Sequence, residues 1–253
     1  MSIIEDKLRI ETAVSDIKTE IINKGVNVPE GTRIDGLPSL ISSIPSGGGD
    51  DETLKAIIDR SITSVIVSDG MTSIGTAAFH SCIKLKTVSI PNSVARIGEN
   101  AFYKCSNLAS AELPDSITSI EKQAFANCIN LNISKLPGGL KSLGVQAFFG
   151  CENITLTSLP VGITTFNDGE FRGCKKLALT HFESSVKGIG YYCFAYCTGL
   201  TSITFKGIPT VIHSTAFNGC TNLTTINVPW AEGAVANAPG EQQMLRSTTI
   251  TRR

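Results

Sequence analysis

Seven segments of this chain place a Phe, a Cys and an aliphatic residue at one spacing, and that spacing never slips. The Phe column is Phe79, Phe102, Phe125, Phe148, Phe171, Phe194 and Phe217; the Cys column is Cys82, Cys105, Cys128, Cys151, Cys174, Cys197 and Cys220. The columns Leu85, Leu108, Leu131, Ile154, Leu177, Leu200, Leu223 and Ile74, Ile97, Ile120, Leu143, Phe166, Ile189, Ile212 keep the same step of 23 residues. Such a period marks a solenoid, in which each repeat buries its apolar face only against its neighbours. One inserted residue would throw a whole coil out of column, so the unbroken step predicts coils stacked in register.

Within a repeat, LKTVSIP is a short β-branched segment closed by Pro91, which cannot donate to a ladder and so stands where the strand stops. NSVARIGENAF then turns the chain, with Gly98 available for a positive φ. Leu, strand and turn in this order resemble a leucine-rich repeat. More narrowly, IPNSVARIGENAFYKCSNL resembles the BspA-type leucine-rich repeats of bacterial surface proteins and phage structural proteins, over about Ile62 to Trp230. The resemblance implies short parallel strands stacked along one face, and binding of proteins or cell surfaces rather than catalysis.

Composition narrows the partners. Hydrophobic residues make up 42% of the chain, enough for a large core, and 22 basic residues balance 22 acidic ones. A chain without net charge has no electrostatic reason to seek nucleic acid or an anionic membrane. No apolar run approaches the ~20 residues that span a bilayer, so no membrane insertion is expected. The start, MSIIEDKLRIETAV, lacks the basic n-region and apolar block of a signal peptide. The eight cysteines are too regular for a disulfide framework. Their closest pair, Cys193 and Cys197, has neither a second pair nor a His beside it for zinc. They read as small buried plugs beside the Phe column, with Cys193 in the place of Ala78, Ala101, Ala124 and Ala147. No cofactor and no metal is expected.

The chain divides at PSGGGDD. Residues 1–46 are expected to form a helical module, with Ile3, Ile10, Val14, Ile17 and Ile21 on one face, Gly25 as a C-cap and Asp35 capping a second helix. Its stretch IKTEIINKGVNVPEGTRIDGLPSLISSI resembles a module near the start of phage tail and baseplate-associated proteins. That resemblance implies attachment to other tail subunits or a homotrimer; a plain helical cap on the solenoid is the alternative. Residues 47–52 form a Gly-rich linker, 53–230 the solenoid and 231–253 a tail. Resembling repeats often continue past WAEGAVANAP into a closing strand. Here the chain reads GEQQMLRSTTITRR, which a one-base frameshift of such an ending would encode. With neither strand alternation nor a helical stripe, it is expected to be flexible from about Gly240.

No catalytic constellation emerges. His80, His181 and His213 fall at three different repeat positions, and no nucleophile-elbow, zinc-protease, P-loop or dinucleotide motif is present. Solenoids act through the surface that successive repeats build. With Val88 and Ile90 inward, period-2 alternation turns Thr87 and Ser89 outward, and likewise Ser110 and Glu112, Ser202 and Thr204, Thr225 and Asn227. In the central repeats this alternation shifts, and Ile133, Leu156 and Leu179 stand where polar residues stand elsewhere. A bulge that tucks them inward is favoured, since an exposed apolar stripe on a monomer is uncommon. Standing outward, they would join Lys135, Ser158 and His181 in the candidate face. Such a neutral face suits a host cell-surface protein or carbohydrate. The lead expectation is a phage or prophage tail-associated adhesin, located in the virion tail. The alternatives are a BspA-like adhesin on the bacterial surface and an intracellular interaction scaffold.

Overall fold

Most 23-residue coils contribute two short strands and every coil one tight corner, and the corner carries the Phe. The computed structural model describes residues 60–67, 69–231, 233–235 and 249–252, in which all strand pairing is parallel and no helix occurs. The expected helices within 1–46 and the linker at 47–52 lie outside the described residues.

One strand column holds β1 (Ser64–Ile66), β3 (Thr87–Ser89) and β5 (Ser110–Glu112), then β9 (His181–Phe182), β11 (Ser202–Phe205), β13 (Thr225–Val228) and β14 (Thr249–Arg252). The other holds β2 (Ser73–Ile74), β4 (Arg96–Ile97), β6 (Ser119–Ile120), β7 (Ser142–Leu143), β8 (Thr165–Phe166), β10 (Gly188–Ile189) and β12 (Val211–Ile212). Val65 pairs with Val88, Ile97 with Ile120 and Ile203 with Ile226, so each column residue sits over its own counterpart one repeat away. The apolar columns read from the period are all buried.

At the corner the Phe rings form one stack. Successive centroids from Phe79 to Phe217 lie 5.2, 5.1, 5.4, 5.5, 5.5 and 5.6 Å apart with interplanar angles of 15° or less. Coil spacing of ~4.8 Å leaves the rings in offset contact, each pair contributing ~0.5–1.5 kcal/mol beyond its buried area. Residues two before and two after each Phe from Phe79 to Phe194 turn left-handed, as at Asn100 (φ 56°) and Lys104 (φ 59°) around Phe102, and so does Gly219 after Phe217. This conformation aims three N–H groups at the next coil: those of Asn100, Phe102 and Lys104 donate to the carbonyls of Lys122, Ala124 and Ala126 at 3.0, 2.7 and 2.8 Å. Gly98, expected at a positive φ, is instead needed for close approach, because a Cβ there would lie 2.9 Å from the Ile74 carbonyl oxygen.

Two expectations meet different outcomes. Ile133, Leu156 and Leu179 are tucked inward, 4%, 0% and 1% exposed, so the favoured bulge reading holds and their place on the outer face is withdrawn. The ladder records the shift. The Thr155 and Ala178 N–H groups donate to carbonyls 22 residues back, Ile133 and Leu156, whereas Asn132 and Thr224 reach back 23, to Ala109 and Thr201. No strand forms in the first column between Glu112 and His181.

The tail expectation is corrected for residues 249–252, while residues 240–248 lie outside the described residues. β14 pairs with β13, Thr225 opposite Thr249 and Ile226 opposite Ile250, and Ile250 packs against the core. A sheet edge recruits a segment through main-chain groups, so one alternation, Thr249-Ile250-Thr251, sufficed. Ending the chain at Pro239 uncovers β13 and should lower Tm by several degrees; an unchanged melting curve would contradict the pairing. Phe125→Ala or Phe148→Ala should cost ~3–5 kcal/mol in chemical denaturation. Phe217→Ala should cost less, because its ring stacks on Phe194 alone.

Candidate binding surfaces

The strand face is two patches rather than one wall. Thr87, Ser89, Ser110 and Glu112 stand exposed on β3 and β5, beside Ile66 of β1, which is 74% exposed. Ser202 and Thr204 are exposed on β11, and Thr225 and Asn227 are half-buried on β13, where Asn227 Nδ2 donates to Thr204 Oγ1 at 3.2 Å. Between the patches only Lys135 and Ser158 reach solvent at the candidate positions, because Ile133, Leu156 and Leu179 have left the surface.

His181 sits at the edge of the second patch. Its ring contacts Thr180 Oγ1 at 3.0 Å through Nδ1 and Glu183 Oε1 at 2.9 Å through Nε2. Lys206 Nζ also donates to Glu183 Oε1, at 2.9 Å. These contacts, Lys206 first and then His181, hold the Glu183 carboxyl below its usual range. The arrangement is a surface charge network at the edge of the patch.

The cysteines do more than fill space. Each from Cys105 to Cys220 in the ladder donates its thiol to the carbonyl of the Phe one coil back, as Cys128 does to Phe102 at 3.0 Å. Burial pushes the thiols up, Cys220 to about 12 and Cys128 well beyond its ordinary value. A thiol that stays protonated is neither nucleophile nor metal ligand. Among the described residues no group of three or more His, Cys, Asp or Glu could hold a metal ion. No helix there is long and apolar enough to cross a membrane.

Glu170 was missed in the sequence. It occupies the column of Ala101, Ala124 and Ala147, fully buried. Oε1 accepts from the backbone N–H of Asn167 at 2.7 Å and from its Nδ2 at 2.9 Å, while Oε2 has no partner. Burial pushes the carboxyl up to about 8. A carboxylate in an otherwise small-residue column was the available signal. A second was the concentration of three of the chain's four tyrosines, Tyr191, Tyr192 and Tyr196, in one coil.

Two measurements follow from this chemistry. Because Glu170 titrates higher folded than unfolded, its stability contribution is full below about pH 4.5 and is lost as pH rises through about 8. Glu170→Ala should flatten that decline and raise Tm at pH 9 by about 5 °C; an unaltered pH–Tm profile would contradict the assignment. Native thiol labelling should be slow at all eight cysteines and fast on unfolding, and rapid labelling of several native thiols would overturn their packing role.

Comparison with known proteins agrees with this architecture. A family model described as BspA type Leucine rich repeat region matches in six copies, over residues 55–178 and 146–233. No curated protein matches. Among solved structures, the leucine-rich repeat protein TpLRR of T. pallidum is 32% identical with a TM-score of 0.57, covering 63% of this chain and 77% of that one. A leucine-rich cell surface protein of Faecalibacterium prausnitzii A2-165 is 22% identical with a TM-score of 0.48, covering 73% of this chain and 65% of that one. The family match begins at residue 55 and lends no support to the tail-associated resemblance at 17–44, which lies outside the described residues. Its residues take in the seven Phe and Cys corners that the structure stacks, and the chain belongs to the BspA-type leucine-rich-repeat family.

Proposed function

We propose that this protein is a non-catalytic binding protein of the bacterial surface, holding a protein or carbohydrate of a host surface against its solenoid. The observation that carries the reading is the division of labour in each coil. Among the described residues every thiol and most apolar side chains are committed to the stack, and the outward rows carry mainly short hydroxyl and amide groups. Such rows offer hydrogen bonds on a rigid frame, so little ordering entropy is lost on binding. Nothing in them converges on a reacting atom. A bacterial-surface setting suits the family better than a virion tail, for which support is confined to residues 17–44.

The test is retention of the 253-residue chain on surfaces coated with host mucin or extracellular-matrix protein. Saturable retention with a micromolar or tighter midpoint is expected. No retention above an albumin-coated control on either surface would overturn the reading.

A further inference from the structure

The corner opposite the strand columns carries a feature that the repeat does not require. Left-handed backbone at the two positions flanking the Phe is filled by Gly, Asn, Gln, Ser, Ala or Lys in five of the coils, and by Gly219 alone after Phe217, but by Tyr192 (φ 52°) and Tyr196 (φ 60°) around Phe194. A bulky aromatic residue is the poorest occupant of this region, where Gly and Asn are the usual choices. Tyr196 nevertheless projects its ring, 46% exposed, over Gly219 in the next coil, where any Cβ would collide with it. On its other side the equivalent positions are Gly173 and Gly150, so two coils beside the ring carry no side chain there. Strain at bulky residues next to a cleared floor points to use rather than folding.

Arg172 completes the feature. Its guanidinium carbon lies 5.3 Å from the Tyr192 ring centroid, 5.5 Å from Tyr196 and 5.6 Å from Phe149. Among the described residues it pairs with no carboxylate, although Arg96, Lys122, Lys175 and Lys206 each do. Arg172 is half-buried, and a guanidinium held by cation–π contact still carries the N–H donors for bidentate capture of a carboxylate. The flanking tyrosines supply flat apolar faces with polar tips, the surface that stacks on the C–H face of a sugar ring.

We propose that Arg172, Tyr192 and Tyr196 form a binding site for a carboxylated saccharide, its acid group on Arg172 and its ring against the tyrosines above the Gly150–Gly173 floor. This deepens the surface-binding reading and rests on it. The full chain is titrated by calorimetry and ligand-observed NMR with trigalacturonic acid and 3′-sialyllactose, alongside their neutral counterparts, methyl-esterified trigalacturonate and lactose. At least one acid should bind about ten-fold or more tighter than its counterpart, and Arg172→Gln should remove that preference. Tyr196→Asn, which copies Asn127 at the equivalent left-handed position, should weaken binding about ten-fold while leaving Tm unchanged or higher. Binding of neither acid, equal binding of the neutral sugars, or undiminished binding by Arg172→Gln would overturn the site. Retention on mucin or matrix separates the two readings. If wild type and Arg172→Gln are retained equally, the surface reading stands and this site falls; if wild type is not retained, the surface reading itself fails.

Discussion

Everything in this molecule depends on one requirement, that each coil hydrogen-bonds the next at a common rise. Three ladders meet it, one in each strand column where strands pair and a continuous one at the Phe corner. The corner ladder is the demanding one. It takes two left-handed residues in each coil from Phe79 to Phe194, and nine of these corner positions are not glycine. Each such residue costs on the order of 1 kcal/mol, and the cost is offset by the N–H bonds it aims and by the Phe stack those bonds hold in contact. The ladder thiols serve the same place, since each gives the Phe carbonyl of the previous coil a second donor. The conformation belongs to the coil and overrides the preferences of its residues.

That hierarchy explains why the central coils differ without breaking the solenoid. The corner ladder passes through them unbroken, so Ile133, Leu156 and Leu179 can move inward while the Phe stack continues, whereas the second strand column is interrupted between β7 and β8. The first strand column gives way over these coils, with no strand between Glu112 and His181. It resumes where the interior becomes aromatic. Phe182 meets Phe166, Phe194 and Phe217 edge-on and stacks on Phe205, which in turn meets Trp230. Wider side chains in the Ile90 column set the wall at a distance where period-2 alternation fits again.

The period, the buried columns and the inward turn of the central aliphatics were legible because each is a statement about side-chain register, and register repeats. The tail was misjudged because strand addition depends on an edge's main-chain groups, to which Thr249-Ile250-Thr251 contributes only one apolar side chain. The thiol–carbonyl bonds were invisible for a related reason: a Cys column reads as small apolar filler until the carbonyl it faces is known. The candidate face was half legible. Thr87, Ser110 and Ser202 stand where alternation put them, but a continuous row required strands in coils that form none.

A solenoid couples each coil only to its two neighbours, so a departure from consensus is confined in its cost. Departures should then be tolerated anywhere and spread evenly, unless something keeps them together. Here they gather. Glu170 sits in the Ala column one coil before Cys193, whose thiol is pushed up by burial first and by Glu170 second, and Arg172, Tyr192 and Tyr196 lie in the same two coils. An unpartnered carboxyl oxygen beneath and two strained tyrosines above make this the least economical segment of the stack. Folding alone offers no reason to place them together, because Ala and Asn at those positions serve the corner well in the other coils. A surface that must present Arg172 between rings does offer one, and it requires only that the neighbouring coils be regular enough to carry the strain.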